Sequence, residues 1–371
     1  MSGPRPLPSP PVPSAPPAEC SHPVPATRSL VPRRGLLLGG ALLALAGCGQ
    51  VELGGPAAYT PPPPGIDDIY RAELLALLDA ARAAADGLED PGGADAEATA
   101  AAVEGLAAAL PVQRAALLTG AESETEDGER TGSAAGASPT EVAADVPGLL
   151  ALLLELRELT TDAARQVSGS LTRPVAAIGA HIQWAALRLA AASGEGEWSA
   201  PREAEDIEPA REVPETDPPS IGAESDYHLT LEQAQQEEWY AGYVHEVLAA
   251  RSEDSVREDH EQAAALHRER AEQLAAIAEQ DGGPVVTRAA VYALPTEPLD
   301  EATAAQLPTQ VAQSLLTAQL ALAGAAPFGR RPLPIAASLQ EAGTLAGLVG
   351  ELDPLPSLAV DEELAASDRG A

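Results

Sequence analysis

The segment TLEQAQQEEWYAGYVHEVLAAR, Thr230 to Arg251, decides the fold class. Thr230 offers a side-chain oxygen at the start of the run, as helix N-caps do. Glu237, Tyr240, Val244 and Val247 then recur at the three- and four-residue steps that put side chains on one face of an α-helix. A second run, capped by Ser252 and extending to Gln280, places His260 and His267 seven residues apart, on a face shared with Val256, Ala263 and Leu274. It ends at Asp281-Gly282-Gly283-Pro284, a sequence that stops a helix. After a loop from Val285 to Pro298, which contains the apolar cluster Val291-Tyr292-Ala293-Leu294-Pro295, a third helix is expected from Asp300 to Gly324 and a fourth from Pro334 to Gly350. Four amphipathic helices in succession, residues 229–350, make a bundle.

Upstream the same period recurs. Ile69, Leu74, Leu75 and Leu78 mark a helix from Ile66 to Asp86-Gly87, closed by Pro91-Gly92-Gly93. A second helix, Ala94 to Leu118, carries Val103, Leu106, Leu110 and Leu117, with Pro111 as an expected kink. Two more follow: Thr140 to Gln166, with Leu149, Leu150, Leu152, Leu153 and Leu156, and Arg173 to Ala192, with Ile178, Ile182, Trp184, Leu187 and Leu189. His181 and Trp184, three residues apart, read as core packing. Residues 66–193 therefore form a second four-helix unit, with a polar insert at 120–139 whose composition predicts disorder. The acidic, proline-rich stretch 194–228 lacks the apolar residues of a core and reads as a disordered linker, and 351–371 as an acidic tail.

Composition agrees with an all-α chain of two tandem four-helix units. Of 371 residues 45% are hydrophobic but only 3% aromatic, which suits thin alanine-rich helical cores and argues against a β-sandwich or barrel. The basic residues are all arginine, 22 against 56 acids, for a net charge of -34. Such a field repels phosphate backbones, so nucleic acid is excluded as a routine partner.

Three C-terminal motifs carry a resemblance. Gln235-Gln236-Glu237-Glu238-Trp239-Tyr240-Ala241-Gly242-Tyr243, His267-Arg268-Glu269-Arg270 and Val291-Tyr292-Ala293-Leu294-Pro295 follow one another in the order of the ferritin-like domain of unknown function 4439. The segment from about Leu229 to Leu348 resembles that family. The resemblance implies a ferritin-like four-helix bundle in an actinobacterial exported protein, and it brings no activity with it.

The N-terminal region supplies an address. Arg33-Arg34 precedes an uncharged apolar run from Leu36 to Leu45, which leads into Ala46-Gly47-Cys48. This is the layout of an export signal peptide, and the run is too short to span a bilayer. Leu45-Ala46-Gly47-Cys48 resembles the bacterial lipobox, which implies that Cys48 is diacylglycerylated and becomes the first residue after cleavage. Arg33-Arg34 is similar to a twin-arginine signal, with Pro32 and Leu36 departing from the usual pattern, so twin-arginine and general secretion both stay open. Residues 1–47 are then removed, 48–65 form a Pro/Gly spacer, and the protein is expected at the extracytoplasmic face of the cell membrane, held by lipid and meeting an unknown protein or envelope partner.

A di-iron centre in a bundle needs Glu-x-x-His on two of its helices. That spacing is absent from the C-terminal helices, since His245, His260 and His267 are preceded by Gly242, Arg257 and Ala264. No metal and no cofactor are expected. The candidate polar site is Glu237, Tyr240, His260 and His267, read either as a paired network that fixes register or as a mononuclear metal or proton-handling site. No hydrolase elbow, phosphate loop or dinucleotide fingerprint occurs. The functional expectation is a non-catalytic binding or scaffold module, with a metal-binding ferritin-like oxidoreductase as the alternative.

Overall fold

The computed structural model describes residues 64–88, 92–119, 145–195, 198–212, 223–296 and 298–358. Among them are eight α-helices and no strand: α1 Ile66–Asp86, α2 Ala96–Leu117, α3 Val146–Gln166, α4 Gly169–Ser193, α5 Ala223–Ala249, α6 Asp254–Asp281, α7 Glu301–Ala325 and α8 Pro332–Ala346. The signal residues Arg33, Arg34, Leu45, Ala46, Gly47 and Cys48, the spacer up to 63 and the 120–139 insert lie outside the described residues.

Local chemistry sets the helix ends. Asp95 accepts the Ala98 N–H at 3.0 Å, Asp145 the Gly148 N–H at 2.9 Å and Asp300 the Thr303 N–H at 2.8 Å, each satisfying an N–H that the helix leaves unpaired. Gly282 closes α6 at φ +73°, in the left-handed region that glycine enters without a Cβ penalty. Thr230 and Ser252 are not the caps the sequence suggests. Thr230 lies inside α5, its hydroxyl donating back to the Asp226 carbonyl at 2.9 Å. The helix starts earlier because Tyr227 is buried and donates to Asp281 at the far end of α6, at 2.7 Å. The Ser252 hydroxyl donates to the Leu248 carbonyl at 2.9 Å, finishing α5 instead of opening α6.

The first four helices close a ring in which α1 packs on α2 and α3, and α4 packs on α2 and α3. In the second set α5 packs on α6 and α7, and α7 on α8. The two sets share a core. Helix α4 also packs on α7 and α8, and one apolar cluster takes in Leu149, Leu153, Ile178 and Ile182 together with Leu316, Leu320, Ile335 and Leu339. Close approach of α4 to α7 requires glycine: a Cβ on Gly169 would stand 2.7 Å from the Gly324 carbonyl oxygen. Among the described residues α4 is also the one helix long and apolar enough to cross a membrane, but most of its surface is buried inside the protein, as befits a central core helix.

Two segments expected to stand clear of the core are tied to it. In the acidic stretch, residues 198–212 contribute Ile207 to the main core, and Trp198 donates to Gln183 at 2.7 Å. Arg157, buried on α3, donates to the Ser199 carbonyl at 2.6 Å and lies against the Trp198 ring. The Gln166 side chain pairs with the Arg211 backbone on both sides, accepting its N–H at 3.0 Å and donating to its carbonyl at 2.6 Å. Few apolar residues suffice here because buried side chains on α3 and α4 hold the backbone. At the other end, the first part of the 351–371 tail is a strap. Leu355 is buried in the core, Gln113 donates to the Pro354 carbonyl at 3.0 Å and His181 Nδ1 meets the Asp353 carbonyl at 2.9 Å.

Candidate functional site

The seam between α5 and α6 holds the polar interior of the C-terminal helices. Gly242 makes it narrow, since a Cβ there would be 3.1 Å from Arg268 Cγ and 3.5 Å from the Ala264 carbonyl. Glu238 and His245 flank Gly242 on one face of α5, and His260, His267 and Arg270 line the facing side of α6.

Glu238 is the centre of this interior. The His267 Nδ1–H donates to its Oε2 at 2.9 Å and Gln319 Nε2 donates to its Oε1 at 2.6 Å. Arg270 approaches Oε1 at 3.6 Å and donates to Glu341 Oε1 at 2.6 Å. Glu238, His267, Arg270, Gln319 and Glu341 are all buried. A second Arg270 nitrogen donates to Gln340, whose amide reaches Glu203 at 3.1 Å. Burial pushes the Glu341 carboxyl above its usual range, with Arg270 pulling the other way. Burial also works against the charge of Arg270, but Glu238 and Glu341 outweigh it and hold the guanidinium protonated. One guanidinium against two carboxylates leaves a buried deficit of one positive charge.

Toward the solvent the seam continues in imidazoles. His245 stacks on His267 with ring centroids 5.4 Å apart and an interplanar angle of 23°. Its Nδ1 faces His260 Nδ1 at 3.1 Å. Burial, then the nearby His267 and His260, pull the His245 pKa down to about 3, and burial lowers that of His260 against the opposing charge of Asp259.

Of the four residues singled out from the sequence, the structure brings His260 and His267 into one seam and leaves Glu237 and Tyr240 outside it. The buried carboxylate is Glu238, one residue and so about 100° around the helix from the expected position. Glu237 is half-buried, with its pKa raised by burial and by the charge of Glu238. Tyr240 is half-buried and packs edge-on against Tyr292 at 6.1 Å. Sequence reading missed Glu238, His245, Arg270, Gln319 and Glu341. Two signals were available: Glu238 and His245 are seven apart, as His260 and His267 are, and Glu341 is the sole charged residue within α8. His181 and Trp184, by contrast, pack in the main core with ring centroids 5.4 Å apart.

The residues present do not fit the di-iron centre of a ferritin-like bundle. Where a cation would neutralise Glu238 and Glu341, the Arg270 guanidinium does so. Among the described residues no three His, Cys, Asp or Glu side chains are arranged to hold a metal ion.

No curated protein and no solved structure matches the chain. The polar seam nonetheless lies wholly within a recognised domain, for residues 230–360 match the family described as a domain of unknown function (DUF4439), the family that the C-terminal motifs resemble.

Proposed function

We propose that this protein is a lipoprotein anchored at the extracytoplasmic face of the cell membrane through Cys48, and that its helical body is a non-catalytic binding or scaffold module for a protein or envelope partner. The observation that carries the anchor is the apolar run Leu36 to Leu45, preceded by Arg33-Arg34 and ending in Leu45-Ala46-Gly47-Cys48. A diacylglyceryl group supplies two acyl chains, enough for stable anchoring where a single chain binds only marginally. The full chain's net charge of -34, made more negative when the four Arg and one Glu of residues 1–47 are removed, keeps the body off anionic headgroups. Support for a non-catalytic body comes from the polar interior, where Glu238 is engaged by His267, Gln319 and Arg270, and Arg270 by Glu341. Apart from Gln319 Oε1, which has no hydrogen-bond partner among the described residues, these groups pair with one another, as in networks that fix packing. The alternative, an oxidoreductase centred on Glu237, His260 and His267, loses its carboxylate, because Glu237 lies outside the seam.

Metabolic labelling with palmitate tests the reading. Wild-type chain in a producing host incorporates label and sediments with membranes, and Cys48→Ala does neither. Wild-type protein that stays unlabelled removes the anchor. Cross-linking in the same membranes captures a reproducible partner, and a failure to do so removes the scaffold role.

A further inference from the structure

At the solvent-side end of the seam, His245 Nδ1 and His260 Nδ1 face each other at 3.1 Å. The geometry points to a binding site for one divalent late transition metal ion, Cu²⁺, Ni²⁺ or Zn²⁺, with these two nitrogens as adjacent ligands. Imidazole–metal bonds are about 2.0–2.1 Å long. Two such bonds to nitrogens 3.1 Å apart enclose an angle of roughly 100°, between the square-planar and tetrahedral values. The pair bridges α5 and α6, so an ion held there clamps the two helices.

Two further features favour a cation here. His245 is held from behind by His267, stacked at 5.4 Å, and that ring is fixed in turn by Glu238 at 2.9 Å. A fixed ring packed against His245 limits the ways in which its imidazole can turn. Glu258, Asp259 and Glu261 are exposed around His260, and the whole chain is strongly anionic, which raises the local concentration of cations. Among the described residues no third His, Cys, Asp or Glu completes a set, and water fills the remaining positions. The site is therefore exchangeable, unlike a closed structural zinc site. It uses His245 in place of Glu237 and depends on neither the anchor nor the scaffold reading.

The test uses the full chain with Cys20→Ser and Cys48→Ser, so that thiols do not compete. Each ion is titrated by calorimetry near pH 7, and the Cu²⁺ complex is examined by electron paramagnetic resonance. The expected result is one ion per chain, with Cu²⁺ tightest as the Irving–Williams order requires. The Cu²⁺ spectrum shows coupling to two imidazole nitrogens, and melting of the protein shifts upward with the ion present. His260→Gln and His245→Gln each weaken binding by roughly tenfold or more, and His181→Gln leaves it unchanged. If His245→Gln fails to fold, the half-exposed His260→Gln, with an unaltered melt in the absence of metal, decides alone. Saturable binding that survives His260→Gln, a Cu²⁺ spectrum without imidazole coupling, or no saturable binding of any of the three ions overturns the proposal.

Discussion

His267 and Glu238 meet at 2.9 Å inside the protein, with 6% and 0% of their side chains exposed, and this contact joins α5 to α6 at the level where α7 and α8 also supply polar groups. Gln319 from α7 and Glu341 from α8 complete the cluster through Glu238 and Arg270. All four C-terminal helices thus contribute one or more members to one buried hydrogen-bonded set. Packing of apolar faces tolerates sliding by a turn, whereas a four-sided polar set of this kind is satisfied in one register only.

Removing the Glu238 carboxylate leaves Gln319 and His267 without an acceptor and Arg270 with one anionic neighbour fewer. Glu238→Ala is expected to destabilise the protein by about 3–5 kcal/mol, the usual cost of breaking a buried ion pair from one side. Glu237→Ala, at the half-buried neighbouring position, is expected to cost less than about 1 kcal/mol. Urea unfolding followed by circular dichroism compares them, and equal losses would contradict the placement of Glu238 as the interior carboxylate.

His181 makes stability depend on pH. Burial pulls its pKa from 6.5 down to about 4, with the Asp353 carbonyl opposing, and its Nε2 has no hydrogen-bond partner among the described residues. The unfolded chain therefore binds this proton more tightly than the folded one. Above about pH 6.5 neither state carries it; between 6.5 and 4 the folded state loses ground steadily, by roughly 3 kcal/mol in total, and below 4 the loss levels off. Urea midpoints of wild type and His181→Gln across pH 4 to 7 check this. The wild-type curve falls more steeply toward acid, and parallel curves would remove His181 as the cause.

Gly169→Ala tests the contact between the two helical sets. The added methyl would lie 2.7 Å from the Gly324 carbonyl, which is backbone and cannot swing aside. Overpacking of this kind costs about 1–3 kcal/mol. Gly105→Ala, on α2 with open space at the added Cβ, should be neutral or slightly stabilising in a thermal melt. A melt unchanged by Gly169→Ala would mean that α4 and α7 are less closely packed.

Helix type and order were legible because the apolar period is strong. Leu74 and Leu78, Leu106 and Leu110, and Leu149 and Leu153 fall in cores as their spacing indicates. The sharing of a core by the two sets was not legible, because the places where α4 meets α7 and α8 include small residues such as Gly169 and Gly179, whose weak apolar signal does not name a partner. The docked acidic segment escaped notice for a related reason. Its anchors, Arg157, Gln166 and Gln183, lie elsewhere in the chain, and local composition carries no trace of them. In the candidate site the seven-residue spacing of His260 and His267 gave the right face of α6. The choice of Glu237 over Glu238 failed because two adjacent glutamates look alike until a partner helix fixes which one turns inward.

The most direct test of the anchored-lipoprotein account is mass spectrometry of the N-terminal peptide from membrane-purified chain. The account predicts a first residue of Cys48 carrying a diacylglyceryl thioether. A chain that keeps the residues before Cys48, with an unmodified thiol at that position, would contradict it.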